Sequence, residues 1–257
     1  MISNLAYIHP KAKLGTNVTV EPFAVIYENT EIGDNCWIGP NAVIYPDTFI
    51  GEGCKIFNGA SVGAVNQDLK YKGEKTTTVI GKNTTIREFV TVNKGTTDRM
   101  TTKVGDNCLL MTYVHIAHDC IVGNNCILAN NVGLAGHITI QDHVIMEGFV
   151  AAQQFVTIGA HTFVAGASLV RKDIPPYIRV AREPLQFIGV NTIGLARRGF
   201  AKETITQIED IYRTIFVRGH TVSKALDIVE AEIPDTTIRK EIVSFIRNSK
   251  DGIVKGI

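Results

Sequence analysis

The chain has 257 residues, of which 45% are hydrophobic and 20% charged, and its formal net charge is +1. This composition is typical of a folded globular protein, and the near-neutral charge argues against a nucleic-acid binder with a basic surface. No apolar run is long enough to cross a bilayer, and no secretory leader precedes the first repeat, so we expect a cytoplasmic protein.

An aliphatic residue stands at nearly every sixth position from Ile2 to Val170. This period fits neither a helix nor an alternating strand, but it is typical of a hexapeptide-repeat solenoid, in which three short strands form one triangular coil. A small or β-branched residue usually stands two positions earlier, which places both side chains inside the coil. We therefore predict a mainly β fold, with a parallel β-helix over residues 1–172. An antiparallel β-sandwich is the alternative, but it would not hold one phase over so many repeats.

Two small residue types follow the same repeat. Glycine often comes directly after the aliphatic position, as at Gly33 and Gly105, and we expect it to supply the positive φ that a corner needs. The small inward position also holds all five cysteines, which predicts buried, reduced thiols: Cys36, Cys54, Cys108, Cys120 and Cys126.

The repeat is interrupted at Asp68 and Glu74, and again at Asp98. The segments around these breaks are too polar to pack inside a coil. We predict two extruded loops, near residues 64–77 and 94–102, and loops on a rigid scaffold are common places for function.

The solenoid is predicted to end near Pro175 and Pro176, because proline cannot donate to a further strand ladder. A helical period follows, with one helix from about Phe200, a second capped by Thr221 or Ser223, and a third over Asp235 to Asn248. We therefore predict a C-terminal helical domain over 173–257, which also covers the open end of the solenoid.

The densest polar cluster is the segment from Tyr113 to Asp119. Because residues eighteen apart stack, His118, Gly136 and Gln154 are predicted to form a column along one corner, with His137 beside it. Histidine is the usual general base, Asp119 could fix its tautomer, and the Gly136 N–H could stabilise an oxyanion.

Two other interpretations of these histidines stay open. Each one could be a solvated or hydrogen-bonded surface residue. Alternatively, His115, His118 and His137 could converge on zinc, as histidines do in some hexapeptide-repeat carbonic anhydrases, although no cysteine faces outward to help. We favour a site without a metal.

Four motifs resemble those of the acyl-carrier-protein:UDP-N-acetylglucosamine O-acyltransferase family, which begins lipid A biosynthesis. They are Asn66–Tyr71, His115–Cys120, Leu134–His137 and Arg197–Phe200, and the resemblance covers the whole chain. It implies a left-handed β-helix, a homotrimer with clefts between subunits, and no cofactor. The implied partners are acyl carrier protein with an (R)-3-hydroxyacyl chain and UDP-N-acetylglucosamine, whose 3-hydroxyl accepts the acyl group by direct transfer.

The resemblance also implies residue roles. His118 would be the general base, Asp119 its partner and Gly136 the oxyanion donor. The cleft would be lined by Gln67, Asp68, Lys70, His115, His137 and Gln154. Asn191, Arg197 and Arg198 would lie near the nucleotide. The small residue Gly166 would leave room for an acyl chain of about fourteen carbons or more.

The chain departs from the family pattern at Gln153, where histidine is usual, and at Ile193, where an acidic residue is usual. Neither change affects the predicted base. Two further functions stay open: a related hexapeptide acyltransferase, using N-acyl or coenzyme A-dependent acetyl transfer, and a non-catalytic β-helix that serves as a binding module.

Overall fold

The computed structural model describes residues 1–256, and most of them build a three-sided prism of parallel strands. We call the sides sheets A, B and C. Sheet A contains β3 (Thr19–Val20), β6 (Trp37–Ile38), β9 (Lys55–Ile56), β12 (Thr85–Ile86), β15 (Leu109–Leu110), β18 (Ile127–Leu128), β21 (Ile145–Met146), β24 (Phe163–Val164), β26 (Ile178–Ala181) and β27 (Gln186–Val190).

Sheet B contains β1 (Tyr7–Ile8), β4 (Val25–Ile26), β7 (Val43–Ile44), β10 (Ser61–Ala64), β13 (Thr91–Asn93), β16 (His115–Ile116), β19 (Gly133–Leu134), β22 (Ala151–Ala152) and β25 (Leu169–Val170). Sheet C contains β2 (Lys13–Leu14), β5 (Glu31–Ile32), β8 (Thr48–Ile50), β11 (Thr77–Ile80), β14 (Thr101–Val104), β17 (Ile121–Val122), β20 (Thr139–Ile140) and β23 (Thr157–Ile158).

The chain passes from sheet A to B to C and back to A, and each pass around the prism forms one coil. We name the turns between them the A–B, B–C and C–A corners. Ile26 pairs with Ile44, and Ile38 pairs with Ile56, so aliphatic residues eighteen apart stack along the axis. These side chains are fully buried, and so are small inward residues such as Ala24 and Ala42. The predicted hexapeptide core is confirmed.

The expected reason for the glycines holds at Gly63, which has a φ of +85°, but it is wrong for Gly33 and Gly105. Gly33 and Gly105 do not adopt a positive φ; instead, a Cβ at Gly33 would lie 2.6 Å from the backbone nitrogen of Glu52 on the next coil. These glycines are needed because adjacent coils approach too closely for a side chain. Positive φ occurs two residues later, and the residue found there most often is asparagine, which tolerates it better than most residues with a Cβ. The asparagines with positive φ are Asn17, Asn29, Asn35, Asn41, Asn83, Asn107, Asn125 and Asn131.

Both interruptions of the repeat lie at the B–C corner. The first connects β10 to β11, and the second connects β13 to β14. The pairing resumes in phase on the far side, with Val62 opposite Val92 and Ile80 opposite Val104. The two extruded loops are therefore neighbours on the same corner, where they can contact the same part of the surface.

All five cysteines are buried free thiols, as predicted. The Cys36 thiol donates to the Gly51 carbonyl over 3.1 Å, and the Cys120 thiol donates to the Ala135 carbonyl over 3.0 Å. They therefore act as small core residues with local hydrogen bonds.

The C-terminal part contains α1 (Thr192–Arg197), α2 (Lys202–Phe216), α3 (Val222–Glu232) and α4 (Thr237–Asn248). The sequence predicted the last three, and Thr221 caps α3 through a hydrogen bond to the Lys224 N–H. The short helix α1 was not predicted. Before it, β26 continues sheet A in parallel with β24, and β27 returns antiparallel to β26. The boundary at residue 172/173 stays a prediction.

None of the helices within residues 1–256 has the length and apolarity that a membrane crossing requires.

Candidate active site

The B–C corner carries the predicted polar column. His115 pairs with Gly133, and Gly133 pairs with Ala151, so the residues that follow these strands stack one coil apart. This register places His118, Gly136 and Gln154 in a column, as predicted. His118 is only 6% exposed, whereas Gln154 is exposed.

His118 is bound to a carboxylate through one side of its ring. Its Nδ1 lies 2.9 Å from Asp119 Oδ2, so this carboxylate favours the tautomer with the proton on Nδ1. The other ring nitrogen, Nε2, is then a free acceptor. This is the arrangement that a general base requires.

The Asp119 side chain is fully buried, but its charge is well solvated by protein groups. Thr96 donates to it through its backbone N–H (2.9 Å) and its hydroxyl (2.6 Å), and the Arg99 N–H donates over 3.2 Å. Burial alone would raise the pKa of Asp119, but the hydrogen bonds from Thr96, His118 and Arg99 outweigh it and hold that pKa below its usual value. Asp119 is therefore a carboxylate at neutral pH.

Gly136 lies directly against the His118 ring. A Cβ built on Gly136 would lie 2.6 Å from His118 Nε2, so only glycine leaves this imidazole in place. Within residues 1–256, the Gly136 N–H donates to no acceptor. The free imidazole nitrogen can accept a proton. The free N–H beside it can stabilise a negative charge that develops on a nearby oxygen.

His137 forms the outer side of this cluster. Its Nδ1 lies 2.9 Å from Asp98 Oδ2, and its ring stacks on Phe155 at 4.6 Å and meets His118 edge-on at 4.9 Å. His137 is therefore held by a carboxylate of the second loop and by an aromatic ring.

The geometry does not support the zinc set that the sequence left open. His115 Nδ1 is hydrogen-bonded to Thr91 Oγ1 at 2.7 Å, and burial together with the nearby His118 lowers its pKa. The groups close enough to share an ion are His118, Asp119 and His137, within 4.8 Å. Since their Nδ1 and carboxylate atoms already bond to one another and to Thr96 and Asp98, hydrogen bonding accounts for the cluster.

The residues predicted near a nucleotide lie elsewhere in the chain, at the C–A corner. Asn191 is buried, donates to the His161 carbonyl (2.9 Å) and caps α1, and Arg198 donates to the His143 carbonyl (3.2 Å). Arg197 is exposed at the end of α1. Ile193, one of the two departures, is 63% exposed on the same helix.

The remaining predicted residues occupy two further places. Gln67, Asp68 and Lys70 lie in the first loop of the B–C corner, where the Asp68 carboxylate accepts from the Lys70 N–H at 2.9 Å. Gly166 lies at the A–B corner, and its N–H donates to Glu147. A single chain therefore distributes the predicted residues over all three corners, and only those around His118 form one compact cluster.

The residues that hold this cluster together were not predicted from the sequence. Thr96, Asp98 and Arg99 come from the second loop, which was predicted to be functional as a segment but without named roles. Asp98 did carry a signal, because it breaks the hexapeptide register. The hydrogen bonds from Thr96 and Arg99 to Asp119 had no such signal, because they depend on how the loop folds back.

A β-helix of hexapeptide coils with a histidine–carboxylate pair on one corner is typical of the hexapeptide-repeat transferases. The bacterial transferase hexapeptide family matches residues 29–64 and 101–136, and the family described as Udp N-acetylglucosamine O-acyltransferase, Domain 2, matches residues 173–254.

The chain is 54% identical to an acyl-[acyl-carrier-protein]–UDP-N-acetylglucosamine O-acyltransferase from Sulfurihydrogenibium sp., over 96% of this chain and 92% of that protein. It is 51% identical to a protein of the same name from Paracidovorax citrulli, over 96% and 97% of the two chains. The chain belongs to the acyl-[acyl-carrier-protein]–UDP-N-acetylglucosamine O-acyltransferase family.

The structure is also similar to that of a UDP-N-acetylglucosamine acyltransferase from Bacteroides fragilis, with a TM-score of 0.98 and 49% identity over 99% of this chain and 100% of the other. The predicted left-handed parallel β-helix with a helical C-terminal part is confirmed, and so is membership of an O-acyltransferase family.

Proposed function

We propose that this protein transfers an (R)-3-hydroxyacyl group from acyl carrier protein to the 3-hydroxyl of UDP-N-acetylglucosamine, as the first step of lipid A biosynthesis. The names of its relatives support both substrates. The observation that carries the chemistry is the pair of His118 and buried Asp119 beside the free N–H of Gly136. Because all five cysteines are free thiols, we place the reaction in the cytoplasm.

His118 is the general base of the proposed reaction. Its Nε2 takes the proton from the sugar 3-hydroxyl while that oxygen attacks the thioester carbonyl carbon. Asp119 keeps the other proton on Nδ1 and stabilises the imidazolium that forms. When the tetrahedral intermediate collapses, the C–S bond breaks and the imidazolium returns its proton to the leaving thiolate. The acyl group passes directly to the sugar, so no cysteine nucleophile is required.

Gly136 is the proposed oxyanion donor. A backbone N–H is fixed by the coil, so it needs no reorganisation when charge develops on the carbonyl oxygen. Its lack of a side chain also lets substrate and the His118 ring share the same space, since a Cβ there would overlap the imidazole.

The other predicted residues are proposed to bind the two substrates. Those of the first loop and the column line the cleft for sugar, pantetheine and acyl chain: Gln67, Asp68, Lys70, His115, His137 and Gln154. Arg197 and Arg198 provide fixed positive charge for the pyrophosphate, and Asn191 lies near the nucleotide. Gly166 leaves space for the far end of the acyl chain.

We propose a homotrimer because the predicted residues occupy three different corners of one prism. A flat-sided prism offers few clefts by itself, whereas neighbouring prisms form clefts between them. Packing around a threefold axis can bring the B–C corner of one copy near other corners of its neighbours. The outer face of sheet A supports such packing, since Leu109, Ile127, Ile145 and Phe163 point outward on successive coils.

The test is acyl transfer from 3-hydroxyacyl-acyl carrier protein to UDP-N-acetylglucosamine, followed by mass spectrometry of the nucleotide. The wild type is expected to form product, and His118→Ala is expected to lose at least about 10²-fold in kcat, the contribution typical of a general base. Full activity in His118→Ala would remove the base but keep the reaction. No transfer by a folded wild-type protein would reject the reaction itself.

A further inference from the structure

The second extruded loop, residues 94–100, provides most of the hydrogen bonds to the Asp119 carboxylate. We propose that Thr96 in this loop is a positioning residue, whose hydroxyl fixes the Asp119 carboxylate and thereby holds the imidazole proton of His118 on Nδ1. The effect on acyl transfer rests on the proposed function, whereas the effect on the His118 proton does not.

The Thr96 hydroxyl and His118 converge on one oxygen. Thr96 Oγ1 donates to Asp119 Oδ2 over 2.6 Å, and His118 Nδ1 lies 2.9 Å from the same oxygen. The hydroxyl in turn accepts from the Asp98 N–H over 3.3 Å, which leaves its own proton to Asp119. The loop backbone therefore directs the Thr96 hydroxyl proton toward Asp119 Oδ2. This leaves a lone pair of the same Oδ2 in a defined direction for the Nδ1–H of His118.

The other carboxylate oxygen is held by the loop backbone. Asp119 Oδ1 accepts from the Thr96 N–H and from the Arg99 N–H. The Arg99 guanidinium also donates to the Asp119 carbonyl (2.9 Å) and to Thr139 Oγ1 (3.2 Å), which fastens the loop to the corner. Removing the hydroxyl alone therefore leaves the loop anchored, so its contribution can be measured separately.

Asp119 is fully buried, and Thr96 is only 8% exposed. A buried carboxylate that loses one donor has no water to replace it, so its charged form becomes less stable. The charged and titratable groups around it are His118, His137 with its Nδ1 at 3.9 Å, Asp98 behind His137, and Arg99. Without the Thr96 proton, the carboxylate accepts a proton at higher pH, and the acidic limb of the pH–rate profile moves upward.

The experiment compares Thr96→Val with Thr96→Ser and Thr97→Val. Valine keeps the shape and the backbone N–H but lacks the hydroxyl, serine retains the hydroxyl, and Thr97 is an exposed neighbour in the same loop. Thr96→Val is expected to lower kcat on the order of tenfold, the effect of one hydrogen bond to a charged group. KM stays near the wild-type value, the acidic limb shifts to higher pH, and Thr96→Ser and Thr97→Val behave like wild type.

A second measurement, which needs no substrate, follows the imidazole nitrogens by ¹⁵N NMR, with His118→Ala used to assign the His118 signals. The wild type is expected to show the Nδ1–H tautomer, and Thr96→Val a mixture of tautomers. Identical His118 spectra in both proteins would overturn the proposal, as would an equal loss of activity in Thr96→Ser. If the wild type transfers no acyl group, the proposed function fails, and the tautomer comparison still decides the role of Thr96.

Discussion

Two corners of the prism carry a pair of neighbouring histidines, and the two pairs have different hydrogen-bonding partners. At the B–C corner, His118 and His137 each have a carboxylate 2.9 Å from Nδ1. At the C–A corner, the rings of His143 and His161 stack on one another at 4.7 Å, and Arg198 bonds to the backbone beside them. The same residue type in the same repeat thus bonds to carboxylates at one corner, whereas at the other it stacks on a neighbouring ring and feels both Arg198 and Asp142.

The surroundings of the C–A corner affect the protonation of His161. Burial, the neighbouring His143 and Arg198 lower the pKa of His161 to about 4, so this ring is neutral and packs as an aromatic side chain between His143 and Tyr177. Its Nδ1 is buried and finds no hydrogen-bond partner within residues 1–256. The repeat therefore supplies positions for histidine, and at the C–A corner burial is the main reason why the ring stays neutral.

The largest effect is expected from crowding the B–C corner. In Gly136→Ala the new Cβ would lie 2.5 Å from His118 Cε1 and displace the imidazole, while the backbone at Gly136 accepts alanine without a positive φ. We expect kcat to fall on the order of 10²-fold, with little loss of stability. Gly133→Ala is the matched control, because its Cβ would meet nothing within 4 Å. Equal activity of the two variants would refute the assigned role of this corner.

A smaller effect is expected from substitution at the A–B corner, where Gly166 is predicted to set the preferred acyl length and takes no part in proton transfer. With Gly166 and Ala165 both small, the wild type is expected to prefer chains of about fourteen carbons or more. Gly166→Met should favour shorter chains, because each methylene that loses its buried contact costs about 0.8 kcal/mol. Transfer assays with acyl carrier protein thioesters of different lengths measure this. A wild-type preference for ten carbons would contradict the prediction.

The smallest effect is expected at the C–A corner. Because the pKa of His161 is about 4 in the folded protein and 6.5 in its ordinary state, the unfolded chain binds more protons between these values. Stability therefore falls as the pH drops from 6.5 to 4, by about 1 kcal/mol for a ring that is partly solvated.

The variant His161→Phe keeps the aromatic stack and removes the titrating group, so this part of the pH dependence should disappear. Urea unfolding at pH 7 and pH 4.5, at one protein concentration, measures the difference. We expect kcat to remain near the wild-type value, since no proton transfer is assigned to this corner. An unchanged pH slope would show that His161 does not titrate as described.

The fold could be predicted closely because the hexapeptide core is a local and repeated signal. Ile26, Ile44 and Ile56 each carry the same information, so the register survives two interruptions. The reason assigned to Gly33 and Gly105 was wrong, because close contact between coils is a three-dimensional constraint that the one-dimensional pattern does not distinguish from a turn. The helix α1 was missed because six residues are too few to show a helical period.

The candidate site was predicted only in part. Stacking of residues eighteen apart placed His118 beside Gly136, and the adjacent position of Asp119 suggested the pair. The distribution of Asn191, Gly166 and His118 over different corners follows from the path of the coil, whereas the resemblance implied only their separate roles and not their places on the prism. The roles of these residues stay predictions until the variants are measured.

Both interruptions of the repeat occur at the B–C corner, and pairing resumes in phase after each one. The prism therefore accepts inserted chain at this corner with only a local register shift, between Val62 and Ala64, in the neighbouring strands. In evolutionary terms, one corner of a uniform scaffold could gain new segments while the rest stayed fixed. For protein engineering, the same corner is a natural place to graft loops of new length and sequence, because strand pairing depends only on where the two ends of each loop lie.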